Sequence, residues 1–325
     1  MAIKVYASHN PNAEIRKESS AGGLFTLIAE RIIESGGVVY GVGFNNDWQI
    51  THLRVDDAKN LSHLRGSKYA YSIIGDTLNN ISKDLEGGKE VLFSGTPCQA
   101  AAVRKRFGEN SKLLIVEVVC HGAPEQKYWE AYLQAILRKK GKKLNDIEAI
   151  SFRDKVRGWK NYNFTISFKD GSMYSESHSD NLYMRAFLKD YILRTACFKC
   201  GFKYTEGTRA DITLGDFWGI DQLAPEINNN EGTTIAIVRT AKGKEYADLF
   251  KNPTMIELSS LEAYNPAIFH SANRPADYEE FQAKFTEYAK KGKSEARILK
   301  LFKQYAGRPL LLTIKIKLYR LIHRK

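Results

Sequence analysis

The sequence predicts an α/β protein: a mixed, partly parallel sheet with flanking helices and a helical C-terminal region. Three observations carry this. Two strand-to-helix units follow one another between residues 90 and 139, the order that right-handed crossovers turn into parallel strands. Strand-like alternation returns over 147–177, with Lys169-Asp170-Gly171-Ser172 as a turn. Beyond residue 277 the pattern is helical and increasingly basic. The expected division is an α/β domain over 1–276 and a basic helical extension over 277–325. With 43% hydrophobic and 11% aromatic residues, the 325-residue chain can bury one large core or two modest ones.

Residues 2–7 alternate as a first strand. Ser19-Ser20-Ala21-Gly22-Gly23 then opens an apolar-periodic helix, since serine before such a run is an N-cap signal, and Ser35-Gly36-Gly37 closes it. Residues 38–44 and 50–55 read as two strands joined through Asn45-Asn46-Asp47, a hairpin signal. A helix over 72–86 follows. Residues 90–94 form a short strand ended by Gly95-Thr96-Pro97-Cys98, with a helix over 99–107. Residues 113–119 are almost continuously apolar, as a strand covered on both faces must be. That strand ends at Cys120-His121-Gly122-Ala123-Pro124, before a helix over 125–139. A helix near 180–190 precedes Cys197-Phe198-Lys199-Cys200, and 211–214 and 233–239 read as further strands.

Composition excludes several classes. The formal net charge is +12, but residues 290–325 hold twelve of the 49 Lys and Arg against one acid, leaving the body at +1. This charge distribution gives little support to a basic groove across the whole protein, and nucleic acid is not an expected partner. No apolar run approaches the length that spans a bilayer, and the N-terminus has neither signal-peptide nor transit-peptide character. The expected location is the cytoplasm, either free or peripheral on the inner face of the membrane.

Four cysteines in a chain this long do not make a disulfide scaffold. Cys98 and Cys120 each lie just past the carboxyl end of a strand, where α/β proteins bind ligands. Cys197 and Cys200 share a C-x-x-C loop. Four such thiolates suit a 4Fe–4S cluster or a zinc ion, and spacing alone does not separate the two. The plain alternative is a set of small buried thiols with a weak redox pair.

Wider motifs occur around them in a fixed order. They are Ser19-Ser20-Ala21-Gly22-Gly23-Leu24-Phe25, Leu64-Arg65-Gly66-Ser67-Lys68-Tyr69, Leu92-Phe93-Ser94-Gly95-Thr96-Pro97-Cys98-Gln99 and Val119-Cys120-His121-Gly122. Phe152-Arg153-Asp154-Lys155 with Gly158-Trp159, and Asp211-Ile212-Thr213-Leu214-Gly215-Asp216-Phe217-Trp218-Gly219, complete the set. Together with the C-x-x-C pair they resemble the coenzyme F-420 hydrogenase/dehydrogenase beta-subunit family, over residues 16–245. The likeness is to bacterial members found among polysaccharide-synthesis proteins rather than to the archaeal hydrogenase subunits.

The resemblance implies one 4Fe–4S cluster held by Cys98, Cys120, Cys197 and Cys200, and one FAD. It implies a flavin pocket made by Ser20, Gly22 and Gly23, by Arg65, Gly66, Ser67, Lys68 and Tyr69, and by Gly95, Thr96 and Gln99. The residues agree with such use: a helix N-terminus and close-approaching glycines suit a pyrophosphate, although an ordinary N-cap and a solvated basic turn look the same in sequence. A cluster passes one electron at a time while a flavin stores two, so the pair converts between one-electron and two-electron chemistry. Many bacterial relatives begin with a ferredoxin-like domain bearing eight cysteines. This sequence starts at the flavin domain, and the expectation is that its electrons come from a separate protein or soluble carrier, reduced ferredoxin or a deazaflavin.

His121, Arg153 and Lys155 are the candidate proton donors or substrate contacts, with Asp154 and Asp216 beside them. Phe217 and Trp218 read as packing. On a helical wheel, residues 310–325 place Leu311, Ile314, Leu318, Leu321 and Ile322 opposite Lys317, Arg320 and Arg324. Such a helix either packs on the body or lies on an anionic membrane surface. The expected function is an FAD- and 4Fe–4S-dependent oxidoreductase acting on a small organic, sugar-linked substrate. The alternatives are an electron-relay subunit and a zinc-stabilised module with no redox role.

Overall fold

The computed structural model describes residues 2–203, 209–290 and 295–307. Its strands are β1 (Lys4–Ser8), β2 (Val38–Phe44), β3 (Ile50–Val55), β4 (Val91–Gly95), β5 (Leu113–Val118), β6 (Ile147–Asp154), β7 (Asn163–Phe168), β8 (Met173–Ser177), β9 (Ile212–Asp216), β10 (Thr234–Val238) and β11 (Thr254–Met255). The helices are α1 (Ala13–Glu18), α2 (Leu24–Glu34), α3 (Thr77–Glu86), α4 (Pro97–Phe107), α5 (Gln126–Lys140), α6 (Leu182–Leu188), α7 (Ile220–Leu223), α8 (Ala241–Ala247), α9 (Tyr278–Lys290) and α10 (Glu295–Ala306).

Eight strands form one sheet in the order β11-β1-β10-β9-β5-β4-β2-β3, and β6-β7-β8 form a second, antiparallel one. The centre of the large sheet, β2-β4-β5-β9, is parallel, while β3 on one side and β10, β1 and β11 on the other are antiparallel. The fold is thus mixed α/β with flanking helices. Its apolar strands are explained by burial on both faces. Val39, Leu92 and Leu114 pack with α2, whereas Val38, Val91, Phe93 and Ile115 pack with Ile81 of α3 and with Ala100 and Val103 of α4.

A third cluster, rich in aromatics, joins the small sheet to the C-terminal helices. Trp129, Tyr132, Phe152, Phe164 and Tyr183 pack with Phe281 and Phe285 of α9 and with Leu301 and Phe302 of α10. The amphipathic segment 310–325 lies outside the described residues. Among those described, no helix is long and apolar enough to cross a membrane.

Two differences from the sequence reading lie beside the strands and helices that frame the site. Residues 72–76 are not helical: His52 N–H donates to the Ile73 carbonyl and Ile73 N–H to the Ile50 carbonyl, so this stretch extends along β3 before α3 begins. The polar stretch before Ser19 contains a helix, α1, capped by the Asn12 side chain, which accepts from the N–H groups of Glu14 and Ile15.

Candidate functional site

The strands β4 and β5 are parallel neighbours with Gly95 opposite Glu117, so their carboxyl ends open side by side. Cys98 lies in the first turn of α4, behind Thr96. The Thr96 N–H donates to Gln99 Oε1 at 3.0 Å, and Gln99 Nε2 donates to Ser72 Oγ at 2.9 Å, which holds this helix start in place. The Thr96 hydroxyl lies 3.2 Å from the Cys98 sulfur. A thiolate in this position faces the positive end of the helix.

Cys120 follows β5, and the C-x-x-C turn is delivered to it by backbone pairing. Glu125 N–H donates to the Ile192 carbonyl, Arg194 N–H donates to the Ala123 carbonyl, and Pro124 and Leu193 form a bridge. Gly122 makes the approach possible, because a Cβ there would stand 2.6 Å from Leu193 Cδ1 and 3.4 Å from Cys197 Cβ. All four cysteines then line one cavity of about 30 Å³. Burial pushes the Cys120 thiol up to about 12, Lys203 pulls it down, and the other three sulfurs add to the rise. Among the described residues, no group of three His, Cys, Asp or Glu is placed to hold a single metal ion.

Beside the thiols lies a second cavity of about 540 Å³, which shares Thr96, Cys120, His121, Gly122 and Ala123 with the first. Ser20, Gly23, Arg65, Gly66, Ser67, Lys68, Tyr69, Gly95, Thr96, His121 and Arg153 all line it. Gly23 starts α2 with φ +82°, and no side chain caps the first N–H groups of that helix. The Ser20 hydroxyl accepts the Ser67 N–H at 2.5 Å, joining two of the predicted stretches. Arg65 pairs with Glu18 at 2.6 Å. The Lys68 ammonium donates to the Arg65 and His63 carbonyls, at 2.8 and 3.1 Å, and burial pushes it down to about 7.

Three predicted residues do not line this cavity. Gln99 braces α4 as described. Lys155 donates its ammonium protons to the carbonyls of Arg16, Ala21 and Glu231 at 2.6–2.7 Å, tying the loop before α2 to the one before β10. Gly22 is wedged between β1 and β10: its N–H donates to Thr234 Oγ1, and a Cβ would stand 2.7 Å from the Ser8 carbonyl oxygen and 2.8 Å from the Thr234 nitrogen. Gly22→Ala is therefore expected to destabilise the apoprotein by about 1–3 kcal/mol, the usual cost of overpacking. A urea melt without any added cofactor checks this. An unchanged midpoint would mean that the glycine serves a ligand and not the sheet.

His121 stands between the two cavities, with Nε2 2.5 Å from Asp190 Oδ1 and its ring edge-on to Phe187. Arg153 is buried. It donates to Asp216 Oδ2 at 2.7 Å and lies over the rings of Tyr162 and Trp218, while Trp159 donates to the other Asp216 oxygen at 2.9 Å. Asp154 instead accepts from Thr165 and Val156, away from the cavity. Phe217 packs in the core as read, but Trp218 is 38% exposed and reaches the cavity. Sequence reasoning missed Asp190, Arg194 and Lys203. A motif order shows which loops matter, not which distant side chains fold onto them; for Asp190 the one local trace is its φ of +66°, a backbone feature.

No curated protein matches the chain. Among solved structures, a chain of the F420-reducing NiFe hydrogenase complex from Methanosarcina barkeri shares the fold. Its TM-score is 0.53 and its identity 17%, over 88% of this chain and 91% of that one. The family model for the C terminus of the coenzyme F420 hydrogenase/dehydrogenase beta subunit matches residues 88–264, a span that includes all four cysteines, His121, Arg153 and Lys155. The match extends over more than half of the sequence, and the chain belongs to the coenzyme F420 hydrogenase/dehydrogenase beta-subunit family.

Proposed function

We propose that the chain is an iron–sulfur flavoprotein oxidoreductase. In this reading Cys98, Cys120, Cys197 and Cys200 hold a 4Fe–4S cluster, FAD occupies the large cavity, and a small organic molecule, sugar-linked as the sequence resemblance implies, is the substrate. Reduced ferredoxin or a deazaflavin exchanges electrons with it. The observation that carries the reading is that four thiols from three separate segments line one cavity, which adjoins a larger, cation-lined one at Cys120 and His121.

The residues suit both groups. A cubane takes one thiolate on each of its irons and so asks for thiols set around a cavity. A zinc ion about 2.3 Å from each sulfur asks for them to meet at one point. Four thiols lining one cavity support the former. For the dinucleotide, Arg65, Lys68 and the uncapped start of α2 offer positive potential to a pyrophosphate. Gly95 and Thr96 bring backbone up to the junction with the thiols, and His121, oriented by Asp190, is the group there able to hold a proton. When bound, the cofactor pair supplies the interchange between single electrons and electron pairs.

Anaerobic reconstitution followed by iron, sulfide and flavin analysis tests the reading. Four irons and one FAD per chain are expected, with turnover of a small substrate by the isolated chain under an artificial donor. A colourless protein with stoichiometric zinc would overturn it, and loading without turnover would leave an electron relay.

Charge on Lys68 gives a second expected result. With its ammonium pushed down to about 7, the cation is present below that pH and lost above it. Binding of FAD, whose pyrophosphate diester keeps its charge across this range, to the apoprotein should weaken as pH rises through about 7. Calorimetric titration across this window is the measurement, and Lys68→Met should bind weakly and show no such dependence. A wild-type affinity that stays flat would remove Lys68 from the phosphate site.

A further inference from the structure

The wall of the thiol cavity carries two cations that the proposed function does not use. Lys203 follows the C-x-x-C turn. Its ammonium donates to the Cys120 carbonyl at 2.6 Å, the Ala267 carbonyl at 3.0 Å and the His121 carbonyl at 3.3 Å. Arg194 precedes the turn, with its guanidinium 3.8 Å from the centroid of the Tyr71 ring. Both residues line the thiol cavity, and among the described residues no carboxylate does. Neutral groups hold both cations in place: carbonyls for one, an aromatic face for the other. Nearby Arg209 differs, since the Glu117 carboxylate neutralises it.

We propose that Lys203 and Arg194 are fixed countercharges of the four-thiolate centre and raise its reduction potential. The proposal rests on the cluster assignment above. Reduction adds one electron, and with it one negative charge, to a site already crowded with thiolates, and no proton need accompany it. A cation held at the wall of a partly buried site favours the reduced state over the oxidised one, because the attraction grows with the charge and is weakly screened. Charge and surroundings at the sulfurs are among the recognised levers on cluster potentials. Neutral or carboxylate-paired side chains at 194 and 203 would lack this effect. The two cations also offset the cost of burying four thiolates together.

The test is a potentiometric titration of anaerobically reconstituted protein, with dithionite as the one-electron reductant and the reduced centre followed by electron paramagnetic resonance. Lys203→Met and Arg194→Met should each move the midpoint to more negative potential, and the double variant further still. Lys203→Arg should stay near wild type. Arg194→Met leaves the Lys203–carbonyl contacts intact, so it answers the question even if Lys203→Met does not fold. Single variants with full iron content and an unshifted midpoint would overturn the proposal, whereas a merely structural role for Lys203 would lower stability without moving the potential. A wild-type chain that takes up no iron overturns the cluster assignment itself and this inference with it, a result seen before any variant is made.

Discussion

On the cluster assignment proposed above, Cys98→Ala is expected to abolish the iron–sulfur centre while leaving the chain folded. Cys98 sits in the first turn of α4, where alanine is at least as good a helix former as cysteine. The Thr96–Gln99 capping pair and its tether to Ser72 involve no atom of the cysteine side chain that would be lost. Cys98 is only partly buried, so removing its sulfur should cost the apoprotein no more than about 1 kcal/mol. The effect on the centre is of another order, because a four-iron cluster that loses one of four protein ligands is left with an exposed iron. Iron per chain should fall to near background, and the visible charge-transfer absorption should vanish with it. Circular dichroism and the apoprotein melting temperature should stay close to wild type. A variant that kept four irons would show that Cys98 is a helix-start residue and nothing more.

Glu117→Ala should produce the largest loss of stability. Glu117 is fully buried on β5, three residues before Cys120. Its carboxylate accepts from Arg209 Nε and NH2 at 2.7 and 3.1 Å and from Thr213 Oγ1 at 2.8 Å, with Arg239 at 3.9 Å. Removing the anion takes the Glu117 carboxylate away from both arginines. Breaking a buried ion pair from one side typically costs roughly 3–5 kcal/mol. Urea unfolding of the apoprotein measures this directly, and Glu117→Gln, which keeps the acceptor oxygen, should lose less. Arg209 lies just beyond the C-x-x-C segment, so lower iron occupancy is expected alongside. A destabilisation below about 1 kcal/mol would show that water or relaxation satisfies the arginines after the change.

Much of the candidate site was legible because its chemistry is concentrated in loops after strands. The two strand-to-helix units were read as parallel strands, and their pairing as neighbours, β4 beside β5, places Cys98 and Cys120 on one edge. The Ser19–Phe25 and Leu64–Tyr69 motifs meet through Ser20 and Ser67. Other candidates could not be sorted in advance. Lys155 and Arg153 stand two apart on one motif, yet one ties down backbone and the other lines the cavity. Gly22 and Gly23 are adjacent, yet one fills a gap between strands and the other begins α2 at the cavity. Neighbours along a chain turn to different sides, and local pattern does not say which side is hollow.

Some properties follow from the sequence alone, since they are local or additive. These are the alternation that makes strands, the four cysteines at their spacing, and a charge of +12 gathered mostly in the last 36 residues. Tertiary structure decided what depends on long-range closure. It brought residues 192–194 against 123–125, set Asp190 on His121, and placed Lys203 and Arg194 at the wall of the thiol cavity. These contacts join segments about 70 or more residues apart, and the burial energy of the whole core fixes them rather than any preference of the residues that touch. The net charge of the body said little about the proposed redox site, because electrostatics there depends on which few charges lie within a Debye length of the sulfurs.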